Sequence, residues 1–305
     1  MPTSKTIYKI LIFFWIIYAS NAYSQSRKYQ KEDLDNAYKE AAIIENKELS
    51  ERIKKFPEKA RIINREIAQA VRENNYIKAI QLTKKMDSIH PNNSDIQHFL
   101  AKMYVKIGEV NSAQMTFEKA IQLKSGNRWI YSNYATFLAE KGEMGKALEV
   151  LAETNKLFPD WSIAYNIIAS IKIHQGKLDQ AEKNYDLALK REPKSALIIT
   201  NSGDLYYELG KKEKALERYQ EALAIQPNFI PAYLGMAEVY HDKKEDEKMM
   251  RALDSCLTIH PQNIDALIFK RAYYVEKNKM IDACTINNSI SAIDQSLKDL
   301  TLRCN

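Results

Sequence analysis

The side chains that could do chemistry in this 305-residue chain are five His, three Cys and 39 acidic residues. Their spacing does not assemble a reaction. No HExxH, GxSxG, CxxC or Gly-rich phosphate loop occurs, so the usual geometries for metal hydrolysis, acyl transfer, dithiol exchange and phosphate binding have no carrier. His90, His98, His174, His241 and His260 are scattered. His90 and His260 stand in the matching contexts SIHPNN and TIHPQN, each just before a helix-stopping Pro, and no second ligand lies at metal-binding spacing. The carboxylates read as solvated helix faces. No catalytic residue, metal or cofactor is therefore expected. Of the thiols, Cys256 falls among small buried positions, whereas Cys284 and Cys304 flank the last helical stretch and could bridge to tie the C-terminal tail down.

What positions these residues is a period of 34. Residues 196–229, ALIITNSGDLYYELGKKEKALERYQEALAIQPNF, read as two short helices and a stop, broken at Gly210 and ended at Pro227. Laid on this frame, position 20 is Ala79, Ala113, Ala147, Ala181, Ala215, Met249 and Ala283. Position 15 is Asn74, Gly108, Gly142, Gly176, Gly210, Lys244 and Asn278, residues suited to a tight turn. Position 32 is Pro91, Ser125, Pro159, Pro193, Pro227 and Pro261, and position 24 carries bulky Phe117, Leu151, Tyr185, Tyr219 and Leu253. Such a pair of helices cannot bury both faces alone and needs neighbours of its own kind.

This recurrence resembles the tetratricopeptide repeat (TPR) family. The resemblance covers residues 60 to about 297 and implies an all-α, right-handed superhelical solenoid of helix-turn-helix units at 60–93, 94–127, 128–161, 162–195, 196–229, 230–263 and 264–297. Ser125, Thr83, Asn287 and Met249 depart from the pattern, which suits capping units at the ends. In this family the first helix of each unit lines a concave groove through positions 2, 5, 6, 9, 12 and 13. Carried onto this chain, those positions give Arg65, Phe99, Lys102, Trp129, Asn133, Asn166, Asn201, Asp204, Tyr207, Glu208 and Glu238 as a peptide-binding groove. Asn133, Asn166 and Asn201 would form an amide ladder for the backbone of an extended peptide. Trp129 and Tyr207 would be its exposed aromatics, and Tyr131, Tyr165 and Tyr233 would pack between helices. Basic Arg61, Arg65, Arg72, Lys102 and Lys106 precede acidic Asp204, Glu208, Glu238, Asp242 and Glu276, with Asp95, Asp265 and His241 as exceptions; such a split would imply an extended partner segment acidic at one end and basic at the other. No three consecutive units supply the two-carboxylate clamp by which some members hold chaperone tails.

The ends are read separately. Lys5 and Lys9 precede the apolar run Ile10–Tyr18, and small residues follow, so 1–24 reads as a secretory signal cleaved after Ala22 or Ser24. Its removal takes two Lys and no acid, lowering the formal charge from +6 to +4, too little to argue for nucleic acid. Residues 25–59 read as a capping helix over the first repeat or a degenerate repeat, and 298–305 as a tail. The expectation is an exported protein of the periplasm or cell surface, with no membrane span after cleavage. Its function would be to scaffold other proteins through their extended segments. A peptide-sensing regulatory subunit and a cell-wall polymer binder or hydrolase are the alternatives.

Overall fold

A computed structural model describes residues 44–293 together with Leu297, Leu302 and Cys304. The expected signal segment and most of the tail lie outside the described residues. The described chain is an all-α helical repeat solenoid of 15 helices with no strand among the described residues. Helix α1 covers 44–53. Seven helical pairs follow: α2 (Glu58–Arg72) with α3 (Tyr76–Ile89), α4 (Ser94–Lys106) with α5 (Val110–Gln122), and α6 (Arg128–Glu140) with α7 (Met144–Leu157). Next come α8 (Ser162–His174) with α9 (Leu178–Arg191), α10 (Ala196–Glu208) with α11 (Lys212–Ile225), α12 (Ile230–Asp242) with α13 (Asp246–Ile259), and α14 (Ile264–Glu276) with α15 (Met280–Ile293). The described residues divide into two compact units, Ala41–Pro193 and Lys194–Asn305.

The local chemistry repeats with the period. Every turn residue from Asn74 to Asn278 at 34-residue spacing has positive φ, from 54° at Asn74 to 82° at Gly142. Side chains of Asn75, Asn93, Asn127 and Asn263 cap their helices by accepting from Lys78, Ile96, Trp129 and Ala266 backbone N–H groups. Each position-20 residue from Ala79 to Ala283 is fully buried, and at the six that are Ala the small side chain lets paired helices approach, Met249 being the exception in size. At the bulky position, Phe117, Leu151, Tyr185, Tyr219 and Leu253 are buried. The two polar departures there are also buried and satisfied: Thr83 donates to the Ala79 carbonyl at 2.7 Å, and Asn287 accepts from Arg271 at 2.8 Å. Cys284 and Cys304 are joined by a disulfide. Cys256 is a free, buried thiol whose pKa burial pushes up to about 12, so it is protonated and inert at neutral pH.

Lys244 holds φ of +59° at a turn where four sister repeats place Gly. A side chain pays steric strain in that region, so Lys244→Gly is expected to raise the stability of its unit by about 0.5–1 kcal/mol, strain relief outweighing the extra chain entropy of glycine. Urea denaturation of the two chains measures it.

Candidate functional site

Within the unit Ala41–Pro193, α4 and α6 present one turn of polar side chains each. His98 and Lys102 stand four residues apart on α4, as do Trp129 and Asn133 on α6, so each pair shares a helix face. Residues 44–53 are laid against that surface. Glu45, only 5% exposed, accepts from Lys102 Nζ at 2.7 Å and from Asn133 Nδ2 at 3.2 Å through the same Oε1. Glu48, three residues on, accepts from Arg128 Nη2 at 2.7 Å and from the Trp129 indole N–H at 2.9 Å. Arg52, a further turn along, donates through Nε to both oxygens of Asp95 at 3.1 and 3.0 Å. Asp95 also accepts from Asn127 Nδ2 at 2.6 Å, which turns the Asn127 oxygen toward the Trp129 backbone N–H that it caps. Under this polar layer Trp129 meets Trp161 edge-on with centroids 5.2 Å apart, and the Arg128 guanidinium lies 5.2 Å from the Trp161 ring.

His98 is buried beneath Glu45 and beside Phe117. An amide nitrogen can only donate, so the 2.9 Å contact from Asn133 Nδ2 places a bare Nε2 and a protonated Nδ1 on His98. Burial, reinforced by Lys102 and Arg52, holds its pKa well below the ordinary 6.5. The unfolded chain therefore takes up a proton near pH 6.5 and the folded chain only at lower pH. Stability from the neutral ring is complete above 6.5 and is lost as pH falls below it toward the folded value. Denaturation should show stability falling as the pH is lowered from 7 toward 5. His98→Gln should remove that component and leave the carboxylates' own titration.

The placement of the expected groove residues divides. Lys102, Trp129 and Asn133 come together, but around a segment of the chain itself. Trp129 is a correction: expected exposed, it is 3% exposed, because Glu48 and Trp161 cover it. Asn166 is 6% exposed and so offers little to a peptide backbone. Phe99 is half-buried on the core of the first repeats, and Arg65 is exposed. At the C-terminal end of α1, Ile53 packs on that core, as does Phe56 just beyond the helix. Its other end reaches the second and third repeats. In the other unit, Asp204 accepts from Tyr219 at 2.6 Å and Tyr207 donates to Asp242 at 2.9 Å, Glu208 is exposed, and Glu238 is 8% exposed against expectation. Asn201, half-buried, belongs to this second unit, so the ladder expected from Asn133 and Asn166 is split between units. Tyr131 is buried against Phe158, as inter-helix packing requires, while Tyr165 and Tyr233 are only half-buried.

The residues that sequence reasoning missed are Glu45, Glu48, Arg52 and Arg128. The signal for the first three was the Glu-x-x-Glu-x-x-x-Arg spacing, which aligns their charges on one helix face. Among the described residues no group of three His, Cys, Asp or Glu is placed to hold a metal, and no helix is long and apolar enough to cross a membrane.

A chain of paired helices repeating every 34 residues, with one face given to polar contacts, defines a repeat scaffold. Sequence profiles of the tetratricopeptide repeat match residues 94–127 and 163–195, and a TPR repeat profile matches 203–244. The chain contains tetratricopeptide repeats, a scaffold fold that is generally non-catalytic, and no catalytic family is indicated. Among curated proteins, DnaJ homolog subfamily C member 3 of Gallus gallus is 23% identical over 170 residues, 52% of this chain and 34% of that protein. The chain thus spans about a third of that relative's length. Among solved structures, a tetratricopeptide repeat protein from Parabacteroides merdae superposes with a TM-score of 0.63 at 16% identity, covering 79% of this chain and 97% of that one. The Cut9–Hcn1 hetero-tetramer of the APC/C gives 0.60 at 14% identity, covering 77% and 46%. These likenesses carry the fold. The repeats are consistent with a protein–protein interaction adaptor.

Proposed function

We propose that the chain is an exported, non-catalytic scaffold or adaptor of the cell envelope that binds other proteins through segments laid on the first helices of its repeats. One observation carries this reading: α4 and α6 already hold a polypeptide segment there, by side chains of the expected groove set. The bound segment is helical, which supports a ligand that presents a row of charges along one helix face. Export is supported by the Lys5–Lys9 and Ile10–Tyr18 pattern, and by the Cys284–Cys304 bridge, since disulfides persist in oxidising compartments.

The test is affinity capture from native envelope extract with the mature chain and with Lys102→Glu and Arg128→Glu, both half-buried residues of the α4/α6 face. Circular dichroism confirms that all three are folded. A small set of proteins retained by the native chain and lost from the variants is the expected result. Capture of the same set by all three would move the interface to another face.

A further inference from the structure

We propose that residues 44–53 are an in-cis ligand of the α4/α6 face, a replaceable plug that a partner's acidic helix must displace to bind. This rests on the adaptor reading and names its ligand: a helix with carboxylates at i and i+3 and a cation at i+7.

The seat of α1 is built as recognition rather than as core. Its N-terminal half is held by Lys102, Asn133, Arg128 and Trp129 on two carboxylates, with Arg52 on Asp95 completing the row. Ile44, which precedes Glu45, is 48% exposed. The ion pairs of this seat are only partly buried, Lys102 and Arg128 keeping 34% and 36% of their side-chain surface, so solvent screens them and the seat adds little net free energy while being selective for charge and spacing. Arg52 adds to this, since its buried Nη2 has no hydrogen-bond partner among the described residues. On the core of the first repeats the described apolar contacts of this segment are those of Ile53 and Phe56, and Leu49 within α1 is half-buried. Between them the chain leaves the helix at Lys54 and Lys55, and Pro57 opens α2. A short non-helical joint therefore separates α1, whose last residue Ile53 packs on that core, from Phe56 at the root of α2. Another helix carrying the same charge row would meet the same donors. It would gain what α1 gives up.

The test uses full-length chain and a fluorescent synthetic peptide of residues 41–56, AAIIENKELSERIKKF. In the wild type α1 competes with the peptide. In the Glu45→Gln/Glu48→Gln chain it is weakened, and apparent affinity scales with the fraction of open face. Anisotropy should therefore show the peptide binding the double variant at least about tenfold more tightly than the wild type. Adding Lys102→Ala and Arg128→Ala to the double variant should abolish the gain, and a peptide with both Glu changed to Gln should bind neither chain. Equal binding to wild type and double variant would overturn the proposal, as would no binding to a double variant shown folded by circular dichroism. If the peptide fails while the double variant still captures envelope proteins in the scaffold experiment, the plug is wrong and the adaptor stands. If the peptide binds and no protein is captured, the adaptor reading fails and the plug stands.

Discussion

Tyr219→Ala is expected to destabilise the unit Lys194–Asn305 by about 3–5 kcal/mol, the cost of emptying a fully buried aromatic site. Tyr219 on α11 has no exposed surface, donates to Asp204 on α10, and lays its ring against two glycines on different first helices. A Cβ added at Gly203 would lie 2.7 Å from the ring, and one at Gly235 would lie 2.4 Å from it. Neither approach is possible between real atoms. Gly235→Ala on the native background should therefore cost about 1–3 kcal/mol through overpacking. In the Tyr219→Ala background the ring is gone, and Gly235→Ala should cost close to nothing or recover a little stability. Urea denaturation of the four chains of this cycle reads the coupling. Additive effects would mean that the helices shift to relieve the contact.

Asp95→Ala should cost about 3 kcal/mol in the unit Ala41–Pro193, since it leaves Arg52 and the Asn127 amide without their shared acceptor. Two structures are tied to this carboxylate. Arg52 belongs to α1, and the Asn127 amide, oriented by Asp95, caps α6. Loss of stability should therefore come with faster amide exchange in 44–53 and in the first turn of α6. Asp95→Asn keeps the shape but offers Arg52 no charge, and should fall between the two. A chain in which exchange in 44–53 is unchanged by Asp95→Ala would show that the Arg52–Asp95 pair does not hold α1 in place.

The repeat was legible because its determinants are local. A positive-φ turn asks for Gly or Asn at a fixed offset, and close helix contact asks for Ala, so both write themselves into the sequence at every period. The groove residues were legible only as a list of positions. What Trp129 and Asn133 face depends on Glu45 and Glu48, more than 80 residues away in the chain. No local pattern encodes such a contact. Taken alone, Glu45 and Glu48 look like a solvated helix face, because charge row and exposed surface have the same composition. The departures at Thr83 and Asn287 were visible as exceptions, but that each is satisfied inside the core follows only from its partners.

The Cys284–Cys304 bridge closes a ring across 20 residues of sequence. A pulling force applied beyond Cys304 passes through the two sulfurs to Cys284, near the start of α15, and bypasses the helix between them. Those residues hold about 70 Å of contour length, which stays out of any extension trace while the bridge is intact. The end of the array thus behaves as a knot in a rope: a partner tugging on the tail would load the body of the last repeat and could not unravel it turn by turn.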